Sequence, residues 1–183
     1  MDYIEIWKGV IQSPSEFYRK MPKAGGYADP ITFAAISFAV YGLLTVLFNR
    51  GMYGGGMYGG REFSFFMVPA AVIITPIFGV ISLFIEAAIL HVIFKVLGGS
   101  GTYEGTVRFI AYATAILLLS WIPFIGWIFG LYGIYLYIVG GSFVHNVSMG
   151  RAAIAVLLPT VLLLLLVVVL AVLAGLLYSS VVI

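Results

Sequence analysis

Glu86, His91 and Lys95 are the side chains on which chemistry in this chain would first be sought. All three fall in one long apolar stretch. Glu86 lies near its middle, where an exposed acid in hydrocarbon costs roughly 2.5–3.5 kcal/mol or more. Such a carboxyl must face a bundle interior, find a partner or carry a proton. Around a helix, Glu86 and His91 stand about 140° apart and Glu86 and Lys95 about 180°. They share no face, so they are no metal motif of the His-x3-His kind. His91 and Lys95 do share one, but two potential cations are poor co-ligands. A bond from Glu86 to Tyr112, Ser120 or Tyr135 on another segment would make a structural clamp; a proton or cation relay is the alternative. With one acid at depth, the clamp is the plainer expectation.

No catalytic constellation accompanies them. The second histidine, His145, lies on a different segment, and no Gly-x-Ser-x-Gly, His-Glu-x-x-His or paired acids occur. The absence of cysteine removes disulfides, thiolate metal sites and thiol nucleophiles together. The reading is therefore no catalytic residues, no metal, no cofactor and no enzyme.

The elements that hold these residues must be membrane helices. Hydrophobic residues make up 63% of the 183 and charged residues 9%, with a mean hydropathy of +1.16. Soluble domains run nearer a quarter charged, because water must solvate their surface. Nine basic and seven acidic side chains cannot coat such a domain, so lipid is the solvent. A net charge of +2, without a basic patch interleaved with aromatics, gives no sign of nucleic-acid binding.

A crossing takes about 20 apolar residues. The first is expected at 31–48, after Asp29-Pro30. The apolar run 64–97 would extend ~51 Å as a helix, too long for one crossing of a ~30 Å core. Pro69 and Pro76 divide it, which predicts an interfacial piece at 64–75 and a second span at 77–97. Ile122-Pro123-Phe124-Ile125-Gly126 turns a hairpin between spans at 107–122 and 126–145, and a fifth span covers 155–178. The fold expected is an all-α membrane protein, a five-span helical bundle behind a short amphipathic interfacial region at 1–30.

Basic residues orient it. Lys8, Arg19, Lys20, Lys23, Lys95, Arg108 and Arg151 fall on one side in a five-span arrangement, and Arg50 and Arg61 on the other. The Lys/Arg excess marks the cytoplasmic side, which puts the N-terminus in and the C-terminus out. The first thirty residues contain no apolar core of a cleavable signal peptide.

Before the first span, Tyr3, Ile6, Trp7 and Val10 share one helical face, opposite Glu5, Lys8 and Gln12. A second short helix follows, with Ser13 as cap, Pro14 at its first position and Glu16 in the capping-box position. Phe17, Tyr18 and Met21 would dip into the lipid interface while Trp7, Arg19, Lys20 and Lys23 meet the headgroups. The other use of such a preamble, and the commoner, is to dock on the protein's own loops.

A tandem repeat, Gly51-Met52-Tyr53-Gly54-Gly55 and Gly56-Met57-Tyr58-Gly59-Gly60, reads as a flexible linker, because six glycines in ten residues cannot hold a core. The glycine-rich loop 98–106 lacks the Lys-Ser/Thr of a phosphate-binding loop and the strand of a dinucleotide fingerprint, leaving a tight turn. Asn146-Val147-Ser148 matches a glycosylation sequon but lies on the expected cytoplasmic side. In the fourth span Gly126, Gly130, Gly133 and Gly140 fall within about 80° of one another. This close-approach stripe is expected to pack on Ala111, Ala113 and Ala115 of the third span, with self-association as its other use.

The stretch 89–114, with His91, Lys95, Gly98-Gly99, Gly101-Thr102-Tyr103, Arg108 and Ala111-Tyr112-Ala113, resembles the central signature of the Yip (Ypt-interacting protein) domain family. Trp121 to Gly126 resembles that family's third-to-fourth hairpin. Gly140, Val144-His145, Ser148, Arg151-Ala152 and Leu158-Pro159 resemble its next loop and fifth span, and Ser13-Pro14-x-x-Phe17 and Asp29-Pro30-Ile31 also match. The resemblance implies five spans with a cytoplasmic N-terminus. Eukaryotic members are associated with Rab-type GTPases, early secretory traffic and membrane shaping through a long N-terminal region. Only about thirty residues precede the first span here, so GTPase binding is not supported.

A minimal, prokaryotic-type member in the plasma membrane is expected. Its role would be a non-enzymatic scaffold or adaptor that binds membrane lipids, other membrane proteins or itself. The competing expectation is a small transporter or channel using Glu86. It lacks an inverted repeat and further polar residues at depth.

Overall fold

The computed structural model describes residues 2–48 and 61–182, with side-chain surroundings for 2–48 and 67–174. The tandem glycine repeat of 51–60 lies outside the described residues. Among those described there are helices and no strands: α1 Tyr3–Gln12, α2 Pro14–Lys20, α3 Ala28–Phe48, α4 Arg61–Val96, α5 Tyr103–Ala113, a 3-10 turn Thr114–Ile116, α6 Leu117–Ser120, α7 Gly126–His145 and α8 Met149–Val182.

Four of these are long and apolar enough to cross a membrane: Ala28–Phe48, Met67–Val96, Gly126–His145 and Met149–Ala174. From Leu162 to Leu173 the large side chains of α8 are each 50–61% exposed, leucine and valine alike. A helix apolar and bare all round is stable only where the solvent is hydrocarbon.

Two expectations change. The run 64–97 has no helix break at Pro69 or Pro76, because α4 is continuous with both prolines inside it. Each proline forfeits one backbone bond, but breaking the helix in hydrocarbon would leave several groups without any partner. The third expected span, 107–122, is not one uninterrupted helix and is not among the four; it is divided into α5, the 3-10 turn and α6. Residues 105–116 are buried throughout, so this segment is shielded by protein and tolerates both Arg108 and the break.

The last helix also begins at Met149, ahead of the expected 155. Asn146 in the left-handed conformation (φ 53°) ends α7, and the Ser148 carbonyl accepts from Ala152 N at 2.9 Å to start α8. The fourth span has the bounds read from sequence.

α3 and α4 form a close antiparallel pair. Gly42 makes it so: a Cβ there would stand 2.8 Å from the Ala71 carbonyl oxygen. α5 lies at the centre, and the buried core of Phe94, Phe109, Val107, Ile110, Leu136 and Val139 gathers toward the end of the bundle that carries α1 and α2. At that end Lys23, Ser100, Arg108 and Asn146 meet. At the other, Phe48 and Trp121 lie 4.6 Å apart, ring centre to ring centre.

Candidate functional site

The polar end of the bundle is organised around Thr106, in the first turn of α5. Thr102 caps that helix, accepting from Gly105 N at 3.1 Å. One turn on, the Thr106 hydroxyl donates to the Thr102 carbonyl at 3.1 Å. The same oxygen lies 3.1 Å from His91 Nδ1 and 2.9 Å from His145 Nε2. The two histidines, from α4 and α7, thus meet on one hydroxyl with ring centres 5.5 Å apart. His145 is fully buried and stacks on Phe94 at 4.3 Å.

The glycine loop closes over this cluster. A Cβ on Gly101 would fall 2.7 Å from the Val144 carbonyl oxygen and 2.8 Å from His145 Nδ1, and one on Gly99 would fall 2.8 Å from the Phe94 carbonyl oxygen. Ser100 N donates to the His145 carbonyl at 2.9 Å, and Asn146 Nδ2 donates to Ser100 Oγ at 2.8 Å. Backbone packed this tightly leaves no room for a phosphate.

The N-terminal segment is clamped to this framework. Trp7 Nε1 donates to the Ala115 carbonyl at 2.9 Å, in the 3-10 turn. Tyr132 donates to the Ile11 carbonyl at 2.7 Å, and Tyr18, fully buried, donates to the Phe109 carbonyl at 3.4 Å. Burial pushes the Tyr18 phenol well above the usual range, so it stays a donor. Arg108 Nε and Nη1 hold the Pro22 and Gly26 carbonyls at 2.7 and 2.6 Å, while Glu104 accepts from Gly26 N at 2.7 Å. Lys23 reaches Asn146 Oδ1 at 3.1 Å.

The apolar face of this preamble therefore lies on protein. Tyr18 and Met21, expected to dip into lipid, are buried, and Phe17 packs edge-to-face on Tyr112 at 5.4 Å. Trp7 is half-buried against the bundle. Arg19, Lys20 and Lys23 remain exposed. The capping box does not form: Ser13 makes no side-chain cap bond, and Glu16 instead pairs with Lys20 at 2.6 Å, which holds its carboxyl below the usual range. Asp2 caps α1, accepting from Ile4 N at 3.0 Å.

Glu86 and His91 do not form one site. Glu86 Oε2 accepts from the Tyr137 hydroxyl at 3.1 Å; Tyr137 replaces the three partners expected from sequence. The carboxyl lines a cleft of about 330 Å³ between α4, α7 and α8, with Ser82 and Thr160 as its other hydroxyls. The glycine stripe is not a single seam. Gly140 meets the Phe109 ring, where a Cβ would stand 2.9 Å from Cδ2; Gly126 packs on Ser120 in the hairpin turn, Gly133 faces Ile116, and Gly130 has nothing within 4 Å.

Sequence reading missed the meeting of His91, Thr106 and His145, and the clamping role of Arg108. The density of glycine beside a buried histidine is the one local sign of the former. Among the described residues no group of three or more His, Cys, Asp and Glu could hold a metal ion.

These features define a helical integral membrane protein whose N-terminal helices are fastened to the bundle at a polar end. Residues 8–181 match the Yip1 domain, and the chain belongs to that family. No curated protein and no solved structure matches it.

Proposed function

We propose that the protein is a non-enzymatic membrane scaffold that presents its N-terminal helix pair as a rigid platform at the cytoplasmic surface of a prokaryotic plasma membrane. The observation that carries this reading is the clamp. Trp7, Tyr18, Tyr132 and Arg108 fix α1 and α2 to the bundle and leave Arg19, Lys20 and Lys23 outward. Rigidly held basic side chains at headgroup height suit anionic lipid, or the acidic face of another membrane protein, better than a tethered tail does.

In this reading Tyr103–Ser120 is the third crossing in chain order, interrupted at its centre, and brings the number of crossings to five. Support comes from its two ends: Thr106 meets His145 at one end of α7, and Trp121 meets Phe48 at the far end of α3. Five crossings put the N-terminus inside and the C-terminus outside, in keeping with the basic residues.

Single-cysteine variants at Lys8 and at the C-terminal end of the chain, labelled from outside in intact cells, test the topology. Photocrosslinking from Arg19 in native membranes tests the platform. Capture of lipid or of a membrane protein supports the scaffold, and no capture above that from a buried position sinks it. The cleft at Glu86 favours a second reading, a small transporter. A cation or proton flux in liposomes that disappears with Glu86→Gln would replace the scaffold by it.

A further inference from the structure

A groove of about 440 Å³ opens between α1, α2 and the starts of α3 and α5. Its walls are apolar, chiefly Ile6, Phe17 and Met21, but four charged side chains line it. Two are basic, Lys20 and Arg108, and two are acidic, Glu16 and Asp29. Arg108 is 5% exposed, and its Nε and Nη1 hold linker carbonyls; no bond to Nη2 occurs among the described residues. Tyr112 is 4% exposed, lines the groove with Arg108 and Asp29, and its hydroxyl likewise has no partner among the described residues. The ring is buried while the hydroxyl opens on the groove, which leaves it a donor for whatever the groove receives.

We infer that this groove seats the head of a zwitterionic phospholipid bearing a primary amine, with its phosphate toward Arg108 and the Tyr112 hydroxyl and its ammonium toward Asp29, the Lys20–Glu16 pair being already closed on itself. The inference rests on the reading above that α1 and α2 lie at the membrane surface. Charge complementarity selects the occupant. With Lys20 and Glu16 paired to each other, one acid, Asp29, beside one base, Arg108, repels a purely anionic head as much as it attracts it, but matches one that carries both signs. Carboxylates select a primary ammonium because it donates hydrogen bonds, which a quaternary one cannot. The volume is that of a small-molecule site, and the apolar wall takes the first methylenes of an acyl chain.

The test is competition. The full chain is reconstituted in nanodiscs of equimolar phosphatidylethanolamine, phosphatidylcholine and phosphatidylglycerol, and the lipid retained after extraction is read by native mass spectrometry. Phosphatidylethanolamine should be enriched. Asp29→Asn should lower that preference about tenfold, the worth of one charge-assisted hydrogen bond. Tyr112→Phe should lower retention of phosphatidylethanolamine and phosphatidylcholine alike, since it removes a phosphate donor. Equal retention of the three lipids, enrichment of phosphatidylglycerol, or a preference indifferent to Asp29→Asn in a variant of unchanged circular dichroism would overturn the inference. Cysteine labelling separates the failures: a platform labelled from outside refutes the membrane-surface reading, whereas correct topology without headgroup selectivity refutes only the groove.

Discussion

Thr106 Oγ1 lies 2.9 Å from His145 Nε2, and the direction of that bond can be assigned by counting protons. The hydroxyl has one hydrogen; with that hydrogen donated to the Thr102 carbonyl, both ring nitrogens that approach it are donors. In its neutral form His145 then carries its proton on Nε2, and its Nδ1 is a bare lone pair. That nitrogen is buried without a partner, pressed between Gly99 and Gly101. The cluster joins three helices through one hydroxyl, and it is the joint on which the polar end depends.

Thr106→Val keeps the shape and removes the joint. It orphans two ring N–H groups and is expected to cost about 1–3 kcal/mol per buried group left unpaired. Thermal unfolding in detergent should show it, with Thr106→Ser near the parent. A valine variant as stable as the parent would contradict the bonding scheme.

Gly101→Ala should destabilise by about 1–3 kcal/mol, because the added methyl meets the Val144 carbonyl and the His145 ring. Gly130→Ala, with nothing near its Cβ, should be neutral or up to about 1 kcal/mol stabilising through helix propensity. Equal effects at the two positions would mean that the loop is not tightly packed.

Arg108→Lys replaces a planar fork by a point charge that cannot hold Pro22 and Gly26 together. Hydrogen exchange should accelerate across residues 2–27 and stay unchanged in α7. The loss expected is about 1.5–3 kcal/mol for a charged hydrogen bond. Uniform acceleration throughout the chain would instead make Arg108 a general stabiliser, with no special hold on the N-terminal helices.

Glu86→Gln retains an acceptor for Tyr137 and should fold like the parent. Tyr137→Phe removes the donor and should cost about 0.6 kcal/mol, the average for such bonds within membranes. A double-mutant cycle reads the coupling. If Glu86→Ala and Tyr137→Phe prove strictly additive, the clamp is absent.

Much of the architecture is legible in local composition. Hydropathy summed over twenty residues needs no knowledge of neighbours, so α3, α7 and α8 could be read directly, as could the turn at Pro123. The family likeness was equally visible, since it rests on residue order. Hydropathy failed at Pro69 and Pro76, where a rule learned in water expects a break and lipid gives the chain no alternative. It also failed at 107–122, read as one span, where burial by other helices removes the need for a long, uniformly apolar helix.

Pairings across the bundle were a different matter. Tyr135 and Tyr137 lie about 160° apart on α7, so which one meets Glu86 depends on how that helix is turned. α7 is apolar nearly all round, so its own pattern favours no face, and the turn is set by Gly140 against Phe109 and by His145 on Phe94. His91 and His145, fifty-odd positions apart, come together only because the glycine loop brings α5 back beside both α4 and α7. Residue types announced a membrane helix bundle; close packing between helices, which no single segment encodes, chose the partners within it.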